Sequence, residues 1–201
     1  MPFKPVETGC APEPLDAVRL RRAADAPAAL DEICPFALAL PAAPAAAAEL
    51  AEVVLDVADL AARARTLSAR GDCLLVEGAG GLLSPYGPGQ TNADLAEHLA
   101  LPVLLVARVS LGTINHVALT VAELTRRRLT LAAVVLVRTT PEREPHENWN
   151  DRLIEATAGV APLGTIPWMS PAERDDDERV ADVVGRLFPE AALRRLIGES
   201  G

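Results

Sequence analysis

The sequence predicts an α/β protein in which helices flank a parallel sheet. Three apolar runs, at residues 73–76, 103–107 and 131–137, have the length of strands and do not alternate with polar residues. Continuous runs of this kind are typical of parallel strands that are buried on both faces. Longer amphipathic stretches separate the runs, and this alternation of strands and helices indicates a parallel sheet.

Helices are predicted between and after these strands. In the segment 46–70, apolar residues recur at positions 50, 54, 57 and 60, and the segment 114–128 ends in three arginines that suit the C-terminal end of a helix dipole. Further helices are predicted at 92–100, 148–158 and 178–197, loops at 141–145 and 170–178, and a short strand at 1–6. With 201 residues, half of them hydrophobic, the chain is expected to form one domain over residues 1–201.

The composition argues against two classes of protein. A net charge of −9 makes the surface repel a phosphate backbone, so we expect no nucleic-acid partner. No uncharged apolar run reaches the roughly 20 residues that a membrane-spanning helix needs, so we expect no membrane partner. The odd number of cysteines, without a C-x-x-C pair, favours a reducing compartment and predicts a cytoplasmic protein.

A glycine-rich turn with one carboxylate follows the first apolar run. Glu77 comes directly after that run and precedes Gly78, Ala79, Gly80 and Gly81. The carboxyl end of a parallel strand faces the crevice where open α/β sheets bind ligands, and glycines let the backbone approach a ligand closely. The turn could therefore hold hydrated Mg²⁺ and phosphates. The alternative is a flexible turn with a solvated glutamate.

The segment K-P-V-E-T-G at residues 4–9 contains the only lysine among the 19 basic residues. Wherever else a positive charge stands, the chain has arginine. A compact ammonium with three donors suits a role that a planar guanidinium cannot fill, which makes Lys4 a candidate functional residue. The alternative is an ordinary loop that has kept its lysine by chance.

The segment L-G-T-I-N-H at residues 111–116 lies between a predicted strand and a predicted helix. The free backbone N–H groups at a helix start suit a carboxylate, and Thr113 and Asn115 add side-chain donors. The alternative is simple N-capping of the helix by Ser110, Thr113 or Asn115.

In their order and spacing, these motifs resemble those of the dethiobiotin synthetases, ATP-dependent ring-closing enzymes of biotin synthesis. K-P-V-x-[ST]-G, V-E-G-A-G-G and L-G-x-I-N-H are hallmarks of that family, and L-G-T-I-P-W at 163–168 matches its L-G-x-I-P-W. The resemblance runs from Lys4 to about Met169 and implies a P-loop NTPase-like parallel sheet flanked by helices. An accessory domain of an amidotransferase-type synthetase would share that fold but not the K-P-V-E-T-G segment.

The resemblance implies a reaction and its partners. CO2 is joined to the two neighbouring amines of 7,8-diaminononanoate, with ATP as co-substrate and Mg²⁺ as cofactor, and a homodimer with shared sites is expected. Lys4 would stabilise the charge of the carbamate and the phosphate, and Thr8 would contact the diamine. Asp16 and Glu77 would hold the metal. The nucleotide would contact Asp16, Glu77, Gly78, Ala79, Gly80, Pro167, Trp168 and Met169, and the substrate carboxylate would contact Gly112, Thr113, Ile114 and Asn115 of the other subunit.

The sequence departs from the family pattern in its phosphate-binding loop. The family begins with a strand and a G-x-x-x-x-G-K-[ST] loop, whereas Lys4 is followed by Pro5. We therefore expect the first strand, the Walker A loop and the first helix of the fold to be absent, activity to be impaired and an apolar sheet edge to be exposed. The alternative function is a non-catalytic relative that dimerises through the helix of Asn115 and binds substrate.

A second departure concerns the nucleotide base. Val137 stands where the family often has an asparagine that contacts the edge of adenine, and a valine side chain cannot form that hydrogen bond. The sequence therefore leaves the nucleotide preference open.

Overall fold

The computed structural model describes residues 1–188, 190, 191 and 194. The chain divides into two compact units, Met1–Ala100 and a second that begins at Leu101. Each unit contains parallel strand pairs packed with helices, so the predicted α/β class is confirmed. The described strands form four separate hydrogen-bonded groups, one of which is antiparallel, where the sequence predicted one parallel sheet.

The first unit has six short strands and five helices among its residues. The strands are β1 (Pro2–Phe3), β2 (Val6–Thr8), β3 (Phe36–Leu38), β4 (Leu75–Val76), β5 (Pro85–Gly87) and β6 (Gln90–Thr91). The helices are α1 (Leu15–Ala23), α2 (Leu30–Ile33), α3 (Pro44–Leu50), α4 (Val57–Ser68) and α5 (Asn92–Leu99).

The N-terminal segment of the first unit changes its partner at Pro5. β1 pairs in parallel with β4, and β2 pairs in parallel with β3. Pro5 lies between the two pairs and has no backbone N–H to donate to either neighbour. The strand predicted at 1–6 is thus two strands that serve two pairs.

The second unit has a three-stranded parallel sheet in the order β7-β8-β9. Its elements are β7 (Val103–Arg108), α6 (Thr113–Arg126), β8 (Leu131–Val137), a 3₁₀ helix (Pro145–Trp149), α7 (Asn150–Ala158), β9 (Gly164–Ile166), α8 (Pro171–Arg174) and α9 (Asp177–Leu187). The strands predicted at 103–107 and 131–137 and the helices predicted at 92–100, 114–128 and 148–158 are therefore confirmed within a few residues.

The long helix predicted at 46–70 is wrong, because the segment forms two helices, α3 and α4. Glu52 has a φ of 55°, in the left-handed region that an α-helix does not contain. Asp56 then begins a new helix, since its side chain accepts a hydrogen bond of 2.9 Å from the backbone N–H of Asp59. The apolar repeat therefore continues across two helices, and the second helix begins at its own N-cap.

Two other predictions need correction at the C-terminal end. The loop predicted at 170–178 contains α8, which Ser170 caps by accepting a hydrogen bond from the N–H of Glu173. Asp176 likewise caps α9, because its side chain accepts a hydrogen bond from the N–H of Arg179. Of the helix predicted at 178–197, α9 covers the part up to Leu187, and positions 189, 192, 193 and 195–197 lie outside the described residues.

The prediction that the strands are buried on both faces is wrong for β7. Leu105 and Ala107 pack into the core of the second unit, whereas Leu104 and Val106 are 41% and 58% exposed. Leu75 of β4 is also exposed, at 56%. Continuous apolar sequence therefore does not distinguish a strand covered on one face from a strand covered on both.

Within the described residues, no helix has both the length and the apolar composition to cross a membrane.

We predict that Asp56→Ala lowers the free energy of unfolding by about 1 kcal/mol, because the first turn of α4 loses its side-chain cap. Urea denaturation measures the change. Asp72→Ala is the control, since Asp72 is exposed and lies outside the helices. Equal stability of the two variants would show that the Asp56 cap contributes nothing.

Candidate functional site

The pairing of β1 with β4 brings Lys4 and Glu77 to the same edge. Pro2 is opposite Leu75 and Phe3 is opposite Val76, so the next residue on each strand emerges at the carboxyl ends of the pair. The backbone N–H of Glu77 donates a 2.9 Å hydrogen bond to the carbonyl of Phe3, which extends the pairing to the site. Two motifs separated by about seventy residues in the chain thus meet in one place.

The ammonium of Lys4 is held by three oxygen atoms. Its Nζ lies 2.5 Å from Oε1 of Glu77, 3.3 Å from Oδ2 of Asp16 and 3.4 Å from the carbonyl oxygen of Gly78. The side chain of Lys4 is only 6% exposed, whereas those of Asp16 and Glu77 are 49% and 47% exposed. The lysine therefore lies beneath two carboxylates that still face solvent.

The charge of Lys4 is maintained by its neighbours. Burial by itself lowers the pKa of Lys4, but the hydrogen bond and charge of Glu77, together with the charge of Asp16, raise the pKa above the usual value for lysine. The ammonium form is therefore present at neutral pH, and it is lost only as the pH rises through this raised pKa. Such a group stabilises negative charge and does not act as a base.

Glu7 positions Asp16, a role that the sequence did not reveal. The carboxylate of Glu7 is buried and accepts hydrogen bonds of 2.9 Å and 3.0 Å from the backbone N–H groups of Asp16 and Ala17. These residues form the first turn of α1, whose own N-cap residue, Pro14, provides no side-chain cap. The carboxylate of a neighbouring strand thus satisfies the helix start and the helix dipole. Spacing alone could not show this, because the partner lies on a different element.

The glycine-rich turn is fixed by Asn92 and Tyr86. The amide of Asn92 donates hydrogen bonds of 2.9 Å and 2.8 Å to the carbonyls of Ala79 and Gly81, and its Oδ1 accepts one of 2.6 Å from the hydroxyl of Tyr86. Burial raises the pKa of Tyr86 to about 12, so the hydroxyl remains a donor. A Cβ on Gly78 would lie 2.5 Å from Oδ1 of Asn92, so the turn requires glycine there.

Gly80 is required for a different reason. Its φ of 78° lies in the left-handed region, and a Cβ there would come within 2.4 Å of Oγ of Ser84. Hydrogen bonds and close packing hold this segment, which argues against the alternative of a flexible turn. Thr8, the residue expected to contact the diamine, ends β2 opposite Leu38 and is half-buried.

The start of α6 in the second unit lines a cavity of about 170 Å³. Gly112 has a φ of 95° and is the N-cap residue, and no side chain caps the helix, so the alternative of capping by Ser110, Thr113 or Asn115 is wrong. Gly112, Thr113 and Ile114 line this cavity. The segment therefore presents a helix start whose first N–H groups are not occupied by a capping side chain.

A second cavity, of about 250 Å³, lies at the carboxyl ends of β7, β8 and β9. Its lining includes Val109, Leu136, Arg138, Thr165 and Pro167. Of the residues expected at the nucleotide, Pro167 lines this cavity, Trp168 is half-buried and Met169 is buried. Arg138 also lines it and forms an ion pair with Glu147 of the 3₁₀ helix.

Comparisons with known proteins identify the family. A family model described as an AAA domain matches residues 2–175. The ATP-dependent dethiobiotin synthetase BioD of Anaeromyxobacter sp. (strain K) is 48% identical over 167 residues, which cover 83% of this chain and 75% of that protein. The protein of the same name from Bacillus cereus (strain B4264) is 35% identical over 84% of this chain and 70% of its own length. The chain belongs to the dethiobiotin synthetase family.

Among solved structures, the ParA family ATPase from Chlorobium tepidum TLS has a TM-score of 0.46 and 13% identity over 91% of this chain and 70% of that one. The identities of 44–48% to relatives of that name confirm the resemblance that the four motifs indicated. The family consists of ATP-dependent ligases of biotin synthesis.

The side chains of Asp16 and Glu77 offer the oxygen ligands that Mg²⁺ prefers. Both are carboxylates, both face solvent, and both lie within 3.3 Å of one atom, Nζ of Lys4. Within the described part of the chain, no group of three His, Cys, Asp or Glu side chains could hold a metal ion. A pair of carboxylates is nevertheless sufficient for Mg²⁺, which takes its remaining ligands from water and phosphate.

We predict that Glu7→Gln lowers the free energy of unfolding by about 1–3 kcal/mol, because glutamine offers one acceptor oxygen to two backbone donors. Urea denaturation measures this loss. Glu13→Gln is the matched control, since Glu13 is exposed in the loop between β2 and α1. The account of Glu7 fails if both variants are equally stable.

We also predict that the pKa of Lys4 lies above the usual value for lysine and falls in Glu77→Gln, because burial is then opposed by one carboxylate only. Since Lys4 is the only lysine in the sequence, a sample labelled at lysine ε-carbons gives one side-chain NMR signal to titrate. An unchanged pKa in Glu77→Gln would contradict the ion pair.

Proposed function

We propose that this chain acts in the ATP- and Mg²⁺-dependent carboxylation and ring closure of 7,8-diaminononanoate to dethiobiotin. The observation that carries the proposal is the buried ammonium of Lys4, held between Asp16 and Glu77 at the carboxyl ends of β1 and β4. Family membership supports the reaction class, and the position of the charge supports the assignment of this site.

The reaction develops negative charge twice. One amine of the substrate attacks CO2 and loses a proton, which forms a C–N bond and a carbamate anion. A carbamate oxygen then attacks the γ-phosphorus of ATP, and ADP leaves. The second amine attacks the carbamate carbon and loses a proton, phosphate leaves, and the ureido ring closes. The ammonium of Lys4 would stabilise the carbamate and the phosphoryl oxygens, because a fixed charge in a partly buried site is effective against charge that develops there.

Asp16 and Glu77 would hold the Mg²⁺ ion of this reaction. The ion, when bound, would supply positive charge to the phosphate oxygens. Glu7 keeps Asp16 in place through two hydrogen bonds to the start of α1, and Asn92 keeps Ala79 and Gly81 of the turn after Glu77 in place. The glycine-rich turn would let the nucleotide approach the backbone closely.

The second unit contains two further candidate binding regions. The start of α6, with Gly112, Thr113, Ile114 and Asn115, would bind the substrate carboxylate, and in a homodimer this segment would serve the site of the other copy. The cavity that Pro167 lines would take the nucleotide base. Leu136 and Arg138, the two neighbours of Val137 in the chain, also line that cavity. The proposed location is the cytoplasm, in agreement with the free thiols of Cys10, Cys34 and Cys73.

A second candidate function is a non-catalytic relative that dimerises and binds the diamine. The start of α6 favours it, since Gly112, Thr113 and Ile114 line a cavity and no side chain caps the helix, so a substrate carboxylate could bind there without a nucleotide. Titration calorimetry with the diamine, and separately with ATP and Mg²⁺, distinguishes the two functions. Binding of the diamine without binding of ATP supports the second candidate. Dethiobiotin formation from diamine, bicarbonate, Mg²⁺ and ATP excludes it.

We predict that Lys4→Met abolishes carbamate formation on the bound diamine, a step that needs no ATP. NMR with ¹³C-bicarbonate detects the carbamate directly, and any rate of dethiobiotin formation should fall by about 10²–10³-fold. Arg63→Met is the control, because it removes one cation from an exposed ion pair with Asp59 on α4. A bound carbamate that persists in Lys4→Met would refute the assigned role.

A further inference from the structure

The cavity at the start of α6 is lined by polar atoms that have no partner. Three side-chain atoms of its lining residues are buried and form no hydrogen bond in the described structure: Oγ1 of Thr113, Nδ2 of Asn150 and Nε2 of His146. Thr113 is 2% exposed and Asn150 is 3% exposed, so water does not reach their side chains freely. Buried polar groups are nearly always paired, which makes three orphans around one small cavity unusual.

The start of α6 adds backbone N–H groups that also have no partner within the helix. The first hydrogen bond at the start of α6 runs from the N–H of His116 to the carbonyl of Gly112, so the N–H groups of Ile114 and Asn115 are not used by the helix. A helix N-terminus also carries partial positive charge. The amide nitrogen of Asn150 and these N–H groups can only donate, and the hydroxyl of Thr113 and Nε2 of His146 can donate as well, so one acceptor would suit all of them.

The rest of the lining limits the acceptor further. Leu111, Ile114, Trp149 and Leu153 make the other walls apolar, and the cavity lining contains no lysine or arginine. Neutral donors suit the single charge of a carboxylate better than the higher charge of a phosphate, which usually has a cationic partner. A volume of about 170 Å³ fits a carboxylate with part of an aliphatic chain.

We propose that Asn150 is a specificity-determining residue of this cavity, whose side-chain amide donates a hydrogen bond to the carboxylate of an aliphatic monocarboxylate. The identity of the natural ligand as the diamine substrate rests on the proposed function. The chemistry of the cavity rests on the orphan atoms of Asn150, Thr113 and His146. Asn150 begins α7 and lies outside the L-G-T-I-N-H segment, so no motif marked it.

The test uses the full chain, with nonanoate as probe and nonanol as its uncharged counterpart. Asn150→Leu removes the donor and nearly preserves the shape of the side chain. Binding is followed by the NMR signal of the Trp149 indole N–H, because Trp149 lines the cavity. The matched control is Asn148→Leu, since Asn148 is exposed and its Oδ1 accepts a hydrogen bond from Arg143 outside the cavity.

Asn150→Leu should weaken nonanoate binding by about tenfold or more, because a hydrogen bond to a charged group is lost. Binding of nonanol should change little. The melting temperature of the ligand-free variant should stay within about 3 °C of wild type, because the amide donor had no partner to lose. A residue that served only the fold would lower the melting temperature and affect both probes alike.

Nonanoate affinity equal to wild type in Asn150→Leu overturns the proposal. If that variant does not fold, the side-chain amide signal of Asn150 in the wild-type protein must shift on addition of nonanoate, and an unshifted signal overturns it equally. Nonanoate binding that depends on Asn150, without any binding of the diamine, would refute the proposed function and leave this inference standing. Diamine binding that is insensitive to Asn150→Leu would overturn this inference and leave the proposed function standing.

Discussion

The first unit depends on a buried positive charge and the oxygens that surround it. An ammonium in a site that excludes most water is costly unless charged or polar partners replace the lost hydration. Lys4 has such partners in Glu77, Asp16 and the carbonyl of Gly78. None of the three adjoins Lys4 in sequence, so the charge is tolerated only when the strands, the first helix and the glycine-rich turn are all in place.

Two further buried polar side chains keep those partners where the charge needs them. Glu7 satisfies the start of α1 and so fixes the position of Asp16, and Asn92 satisfies two carbonyls of the glycine-rich turn that follows Glu77. Each of these side chains spends its hydrogen bonds on backbone groups that a loop would otherwise leave unpaired. Hydrogen bonds within the unit thus hold the arrangement in place, as the proposed stabilisation of developing charge requires.

The second unit presents a contrasting arrangement of polar groups. Around the start of α6, Thr113 and Asn150 bury donors that have no acceptor, whereas Glu7 and Asn92 in the first unit are fully used. A fold does not gain stability from an orphan donor. The proposed carboxylate ligand would complete these groups, whereas Glu7 and Asn92 already bind the backbone of their own unit.

The sequence by itself determined the family, the α/β class and the chemical types of the site residues. Motif spacing identified Lys4 and Glu77, and the long apolar runs located β7 and β8, because short-range patterns report local backbone preference and strand length. Prediction from the sequence failed at Asp56, where an N-cap interrupts the apolar repeat of the predicted helix. It also failed at Val106, whose exposure depends on what covers that face of the strand.

Only the tertiary structure decided which residues support the site. Glu7 lies in a recognised motif, but its role as the cap of α1 depends on a helix that starts eight residues later in the chain. Asn92 and Asn150 stand in no motif that was tied to a site, and their importance lies in whether their amides find partners. Hydrogen bonding between distant elements is a property of the folded chain, so no local pattern could have shown it.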